Sequence, residues 1–371
     1  MIKKLSLFLF TFISSFQIFA QNASPAYLEY MKSLENLIQN ELYSQVSEIL
    51  YDVEEVPDYQ SYINFCKEVD EKFNQHYGQY EKDMGDSEKK SATQFSQAMM
   101  IQLAELYLDR AQEMDLEERK SFFKEYLSQL GLIESITEVN EDISRSISMN
   151  LHAVLGIPFG MPNTEVGNYV QTESEPVKEL FQAAYLLNEM SMLTLSFGEI
   201  EKLASNFKVS YPNSQHLTKL ESTLLSLENL KEGALVQDFN FVDLEGNSVS
   251  LSRFKDKIIY IDLWASWCGP CINTFRTKTP DFERKLRDRE DVVLMYISID
   301  EKQEPWKNYL DKNPMRGVHL FAGKGFEADI MKYFKVWGIP RYLIIGKDNK
   351  LISPNAPRPG DEAYELLIAL D

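Results

Sequence analysis

The sequence predicts two domains of different class: an all-α domain over residues 21–230, then an α/β domain over residues 231–371 with a central sheet flanked by helices. Three observations carry this reading. The chain has 371 residues, more than one hydrophobic core fills, since cores stop growing at roughly 250–300 residues. Apolar residues up to Leu230 recur at helical spacing, whereas beyond it short β-branched and aromatic runs alternate with helical stretches. The charge divides at the same place, with 15 basic and 35 acidic residues in 21–230 against 21 and 22 in 231–371. A content of 44% hydrophobic and 26% charged residues fits a packed protein rather than a disordered one.

Residues 1–20 are set apart as an export signal. Lys3 and Lys4 precede an apolar run from Leu5 to Phe19, interrupted by Ser6, Thr11, Ser14, Ser15 and Gln17, and Ile18-Phe19-Ala20 offers a cleavage site before Gln21. The run is shorter than the about 20 apolar residues a membrane span needs. An uncleaved anchor is the alternative, because Ile18 is larger than the small residue usual there. No later segment is long and apolar enough to span a bilayer. The mature protein is therefore expected outside the cytoplasm, in the periplasm or cell envelope.

In the helical part, Ser24-Pro25 reads as N-cap and first helical residue, followed by Tyr27, Tyr30, Met31, Leu34 and Leu37 at helical spacing. Further helices are expected over Tyr59–Tyr80 and from about Ser91 to Met114, with Phe95, Met99, Leu103 and Leu106 on one side. Another starts at the cap Asp115 and stops at Gly131, and others cover 134–154, 176–193, 197–208 and 214–230. Leu155 to Val170, with Gly156, Pro158, Gly160, Pro162 and Gly167, reads as a loop between two helical groups. No fixed-period repeat is visible. The concentrated acidity disfavours nucleic acid and anionic membranes as partners.

In the second domain, strands are expected over Val236–Phe241, Ser248–Leu251, Ile258–Ala265, Val292–Ile299, Val318–Phe321 and Tyr342–Ile345. Helices are expected near Ile272–Leu286, Pro305–Leu310, Phe326–Phe334 and Glu362–Leu370. Such alternation implies βαβ units and a largely parallel sheet covered on both faces. The domain boundary falls at about 230–236.

The chain has three cysteines, too few for a disulfide scaffold in an exported protein. Cys66 stands alone in a helical run and reads as a buried thiol. Cys268-Gly269-Pro270-Cys271 follows an expected strand and opens an expected helix. The unpaired N–H groups and positive partial charge of a helix N-terminus favour a thiolate, lowering the first cysteine's pKa by about one to several units from ~8.5. Cys271, one turn further in, is set to attack a mixed disulfide. Pro270 lacks an N–H, which costs nothing in a first turn. A zinc site needs about four ligands, and none of His76, His152, His216 or His319 stands in a paired spacing. A purely structural disulfide is the other reading, although so small a loop stabilises little.

Asp262 interrupts the run Ile258-Ile259-Tyr260-Ile261-Asp262-Leu263-Trp264, which otherwise reads as a buried central strand. A carboxyl group there is costly unless used, desolvation raises its pKa, and it could take the proton of Cys271. Exposure at a strand end is the alternative.

The segment from Asp262 to Cys271 (DLWASWCGPC) resembles the active-site segment of thioredoxin, and Gly338-Ile339-Pro340 resembles that fold's cis-proline loop. Gln237-Asp238-Phe239, Asp243, Gly246 and Leu251 look like the extra N-terminal hairpin of the redoxin group, and the stretch between Asp300 and Phe321 like the insertion of TlpA-like envelope oxidoreductases. With a helical domain in front, the chain is similar to TlpA-like proteins of Bacteroidetes-type bacteria. The resemblance covers about residues 231–371 and implies a thioredoxin-like α/β fold with a central mixed sheet.

By position, the resemblance makes Cys268 the attacking and Cys271 the resolving cysteine, and matches Asp262 to thioredoxin's buried acid. It implies a cis peptide at Pro340 beside the disulfide, Ile339 offering backbone groups to an extended substrate, and Trp267, Gly269 and Pro270 completing the docking surface. Thr274 stands where many TlpA-like reductases carry a glutamate, and Tyr296 where thioredoxin has a lysine beside its acid. A peroxiredoxin would have threonine where Ala265 lies. Gly-Pro between the cysteines and Ile before the proline resemble the reducing members. The implied partners are protein disulfide substrates and a membrane-bound thiol electron donor; no cofactor or metal is implied and no oligomeric state is set. The opposite direction, oxidase or isomerase, and a client-binding protein with a protective or sensing dithiol are the alternatives.

Overall fold

The computed structural model describes residues 23–158 and 164–370. The expected export signal, residues 1–20, lies outside the described residues, as does the middle of the expected loop 155–170. Chain contacts divide the protein into two compact units, one reaching to Met192 and including Lys202–Ser222, the other made of Leu193–Glu201 and the chain from Thr223 on. The dividing line thus falls several residues before the expected 230–236, and it passes through two helices.

In the first unit the helices are α1 (Pro25–Leu37), α2 (Tyr43–Leu50), α3 (Tyr59–Tyr80), α4 (Asp86–Arg110), α5 (Leu116–Gln129), α6 (Leu132–Ser135), α7 (Glu141–Leu155), α8 (Thr164–Thr172) and α9 (Val177–Met192). α10 (Phe197–Ser210) and α11 (Leu217–Ser226) are each shared with the second unit. Their starts follow side-chain capping: Ser24 accepts from Tyr27 N, Asp58 from Gln60 N and Ser61 N, and Asp115 forms a reciprocal box with Glu118. α4 is buried on every side between Gln97 and Leu108, not on one. Three neighbours donate hydrogen bonds to its carbonyls: Tyr62 Oη to Leu103 O at 2.9 Å, Tyr126 Oη to Met100 O at 2.6 Å, and Asn150 Nδ2 to Ile101 O at 2.9 Å. Each satisfies a buried polar group that would otherwise be costly.

Two expectations in this unit are corrected. The segment read as a loop up to Val170 contains α8, whose Val166, Tyr169 and Val170 are buried at i, i+3, i+4 spacing. Gly167 serves this helix as a point of close approach, since a Cβ there would lie 3.1 Å from Tyr185 Oη. The expected helix 134–154 is interrupted, because Asn140 caps a new start by accepting from Ile143 N at 2.8 Å.

The second unit holds a seven-stranded sheet of β1 (Asn240–Val242), β2 (Ser248–Ser250), β3 (Ile258–Trp264), β4 (Val292–Ser298), β5 (Val318–Phe321), β6 (Arg341–Ile345) and β7 (Leu351–Ser353), in the order β2-β1-β5-β4-β3-β6-β7. Its helices are α12 (Gly269–Thr277), α13 (Thr279–Lys285), α14 (Gln303–Lys312), α15 (Asp329–Tyr333) and α16 (Asp361–Ile368). This is an all-α part followed by a thioredoxin-like mixed sheet flanked by helices.

The sheet is mixed rather than largely parallel. Only β3–β4 and β4–β5 are parallel; β1–β2, β1–β5, β3–β6 and β6–β7 are antiparallel. Alternating strands and helices do not by themselves fix strand direction, and β1–β2 and β6–β7 are joined by turns too short for a crossover. The long helix expected over Ile272–Leu286 is two helices, broken at Lys278, because Pro280 has no N–H and its ring clashes with the preceding turn. β3 lies in the middle of the sheet with all seven residues buried. On one face Tyr260 packs on Phe282 of α13, at 5.2 Å between ring centres, and Trp264 on Phe275 of α12 at 4.9 Å. Asp262, between them at period-two spacing, shares that face.

Candidate functional site

The C-terminal end of β3 leads through Ala265-Ser266-Trp267 into α12. Cys268 is the N-cap of that helix, Gly269 and Pro270 occupy its first turn, and Cys271 is its third residue. Cys268 and Cys271 are joined as a disulfide, with Cα atoms 5.3 Å apart. The backbone N–H of Cys271 points at Cys268 Sγ at 3.2 Å, so the sulfur sits where a capping oxygen usually would. In the reduced state this N–H and the helix dipole stabilise negative charge on that sulfur.

The two sulfurs differ in access. Cys268 keeps 4% exposure, whereas Cys271 keeps none. Trp267 stands 58% exposed, and Gly269 and Pro270 are also exposed. From a second loop the carbonyl oxygen of Ile339 comes to 3.8 Å from Cys268 Sγ. Ile339 and Pro340 are half-buried and joined by a cis peptide bond. All eight residues singled out in the sequence occupy this one end of the sheet or, for Asp262, the strand beneath it.

Asp262 is 1% exposed, and neither carboxylate oxygen has a hydrogen-bond partner. Burial pushes its pKa well above the ordinary carboxylate range, with the charge of Arg358 opposing. In register it faces Tyr296 on β4 and Tyr342 on β6. Tyr296 donates to Glu283 Oε1 at 2.9 Å, so the residue standing beside the acid is committed elsewhere. Glu283 itself is raised by burial. Thr274, where a glutamate was considered, is buried and donates to Pro270 O at 3.1 Å.

Sequence reasoning missed three residues at this end of the sheet. Asp300, buried after β4, accepts from Ser266 N at 2.9 Å and Ser266 Oγ at 2.7 Å, and from Ser298 Oγ at 2.8 Å. These bonds tie the loop before Cys268 to the neighbouring strand. Phe326, exposed, lies with its ring centre 6.3 Å from that of Trp267, and Trp337, also exposed, next to Gly338-Ile339-Pro340, was open to notice in the sequence. Cys66 is elsewhere, buried against Tyr62 and Tyr126 with its pKa pushed up to about 12 by burial. Among the described residues no cluster of three or more His, Cys, Asp or Glu is arranged to hold a metal ion. None of the described helices is long and apolar enough to cross a membrane.

Fold and site together define a thioredoxin-fold domain with a cysteine pair at the start of the helix after the central strand. Residues 256–351 match the family model described as thioredoxin-like. A relative named thiol-disulfide oxidoreductase ResA, from Bacillus cereus, is 27% identical over 128 residues, 34% of this chain and 69% of that protein. The Arabidopsis thaliana protein named "Probable nucleoredoxin 1" is 28% identical over 157 residues, 42% of this chain, and the chain spans only 25% of its length. Among solved structures, a proposed thiol-disulfide oxidoreductase from Bacteroides vulgatus is 35% identical, with 38% of this chain and 97% of that one covered and a TM-score of 0.34.

Proposed function

We propose that this protein is a thiol–disulfide oxidoreductase that reduces protein disulfides outside the cytoplasm. The observation that carries the reading is the asymmetry of the pair: a sulfur at the helix cap, held by a helix N–H and with residual exposure, and a fully buried sulfur one turn in. In the reduced protein the Cys268 thiolate attacks a sulfur of the substrate disulfide. A Cys268–substrate bond forms and the substrate's other sulfur leaves as a thiolate. Cys271 gives its proton to Asp262 and attacks Cys268 Sγ, releasing the second substrate thiolate and leaving the Cys268–Cys271 disulfide. Two electrons pass to the substrate, and a dithiol donor restores the pair.

The unpartnered carboxyl of Asp262 supports its role as acceptor, since burial raises its pKa and so makes its ionised form a stronger base toward the Cys271 proton. Gly269, Pro270, Ile339 and Pro340, with Trp267, form the docking edge for an extended substrate. The donor is a membrane-bound thiol protein, and export depends on residues 1–20, where the basic start and apolar run support a signal peptide. The redox chemistry belongs to the part from residue 231 on, behind the helical domain of 21–230.

The test is equilibration of the purified protein with glutathione, together with reduction of insulin. A reductant reduces insulin and holds a potential well below that of glutathione. A protein that equilibrates as a strong oxidant and leaves insulin intact refutes the reading.

A further inference from the structure

A cavity of about 400 Å³ opens in the first unit between α6, the start of α9 and the turn from α10 to α11. Its volume falls in the range of ligand-binding clefts. His216 forms part of the wall and is only 6% exposed. Its Nδ1 accepts from Val139 N at 3.3 Å, which places the ring's proton on Nε2. Burial lowers the pKa of the ring against the nearby charges of Glu179 and Glu138, so it is neutral at pH 7. Val139 does not line the cavity, so the ring edge that does is the one carrying Nε2. That N–H has no hydrogen-bond partner among the described residues, and an idle donor on a buried side chain is costly. Glu134 and Glu179 also line the cavity, and among the described residues neither enters an ion pair or a hydrogen bond. Glu138, by contrast, is taken up by Lys90 at 2.9 Å. The buried Ile136 and Leu180, with Pro212, give the cavity its apolar wall.

The cavity thus offers one fixed donor, two unpaired carboxylates and an apolar lining. We propose that it binds a lysine residue of an extended polypeptide, with the backbone carbonyl accepting from His216 Nε2–H and the ammonium held by Glu134 and Glu179. The occupant follows from this donor set. An acceptor and a compact cation joined by a flexible apolar stem are what a lysine residue presents. Its methylenes lie along Ile136, Leu180 and Pro212, as such stems do on apolar surface. The 35 acidic against 15 basic residues of 21–230 draw a basic segment toward this unit before it is bound. The site lies wholly within the first unit, and its binding does not depend on the redox reading.

The test titrates the full-length protein into a short fluorescein-labelled peptide, blocked at both ends and carrying a single lysine, and reads fluorescence anisotropy. Two control peptides carry norleucine or acetyl-lysine in its place. The lysine peptide is expected to bind about tenfold more tightly than either, the scale of one lost charge-assisted contact. Glu134→Gln and Glu179→Gln should each weaken it about threefold. Glu71→Gln combined with Glu125→Gln, two exposed acids of the same unit away from the cavity, should weaken it less than about twofold by screened attraction alone. His216→Phe removes the donor and should cost about fivefold. Where that variant does not fold, the imidazole nitrogen resonances of the native protein serve instead, and Nε2 of His216 should shift on saturation with the lysine peptide. Equal binding of the three peptides overturns the site, as does a His216 resonance that stays still at saturation. Loss of affinity in the distant pair as large as in the cavity glutamates reduces the effect to general charge attraction and also overturns it. A simple alkyl diamine that displaces the peptide at equal concentration overturns polypeptide as the ligand.

Discussion

Replacing Asp262 by Asn should change how the stability of the redox unit depends on pH. The carboxyl is 1% exposed, both oxygens lack partners, and burial raises its pKa while Arg358 opposes only in part. In the unfolded chain the same group titrates near its ordinary value of about 3.9. Below that value both states are protonated and the group is neutral to stability. Above it the unfolded chain ionises freely while the folded chain holds the proton, so stability falls by about 1.4 kcal/mol per pH unit. The fall continues until the folded group ionises in turn. Asp262→Asn removes this slope and leaves a constant offset, because an unpartnered amide is costly at every pH. The advantage of the variant over the native protein should thus grow between pH 5 and 6 by about 1.4 kcal/mol. Urea unfolding of the oxidised protein measures it, with no cysteine of the pair left to titrate. All four tryptophans, Trp264, Trp267, Trp306 and Trp337, belong to the second unit, so their fluorescence reports that unit alone. A constant difference between the two proteins from pH 5 to 7.5 would mean that the folded carboxyl ionises as readily as the unfolded one, and the raised pKa that burial gives it would be refuted.

Three further outcomes follow from the same geometry. Cys271→Ser should accumulate covalent complexes with substrate proteins, resolved by reduction on gels and identified by mass spectrometry, whereas Cys268→Ser forms none; adducts on the second variant would reverse the assignment of the two sulfurs. In the reduced native protein at pH 8, iodoacetamide should modify Cys268 and spare Cys66, whose buried thiol is pushed up to about 12. Equal labelling of both would contradict that burial. Gly317→Ala should destabilise the second unit by about 2–3 kcal/mol, since φ is +108° and a Cβ would meet Leu294 O at 2.6 Å. Gly246→Ala, at φ +89° with nothing within 4 Å, should cost about 1 kcal/mol. The tryptophan signal orders the two, and a reversed order would fault the packing of β5 against β4.

What the sequence made legible was chemistry carried by neighbours in the chain. Asp262 stood out because six of the seven residues of its strand are apolar, and the strand is buried throughout. The cysteine pair was readable from its place between a strand and a helix. Hidden features depend on residues far apart. Asp300 reaches Ser266 across 34 positions, and no spacing rule links a serine before one helix to an acid after the next strand. The break at Lys278 was masked because Ile272, Phe275, Phe282 and Leu286 keep apolar character across it, and Pro280 was the overlooked signal. Around α8 the count of Gly and Pro outweighed the helical spacing of Val166, Tyr169 and Val170. β7 has three residues, too few for an alternation to show.

The division of labour proposed for the two sulfurs is consistent with the spacing of the cysteines on a half-buried helix. Cys271, Thr274 and Phe275 form the buried stripe of α12 at i, i+3, i+4, and Phe275 anchors that stripe against Trp264. Cys268 lies three residues before Cys271, close to one turn, so it shares the stripe's side while standing at the cap where the helix opens. Two intervening residues therefore put one sulfur at the mouth and the other directly beneath it, on the sheet face that also carries Asp262. One more residue in the helix before the second cysteine would turn it by about 100° away from that stripe. The second sulfur would then be carried toward water, away from the buried acid, and neither cysteine would be reserved for the resolving step. On the proposed mechanism, helix periodicity sets the direction of attack before any difference in thiol acidity comes into play.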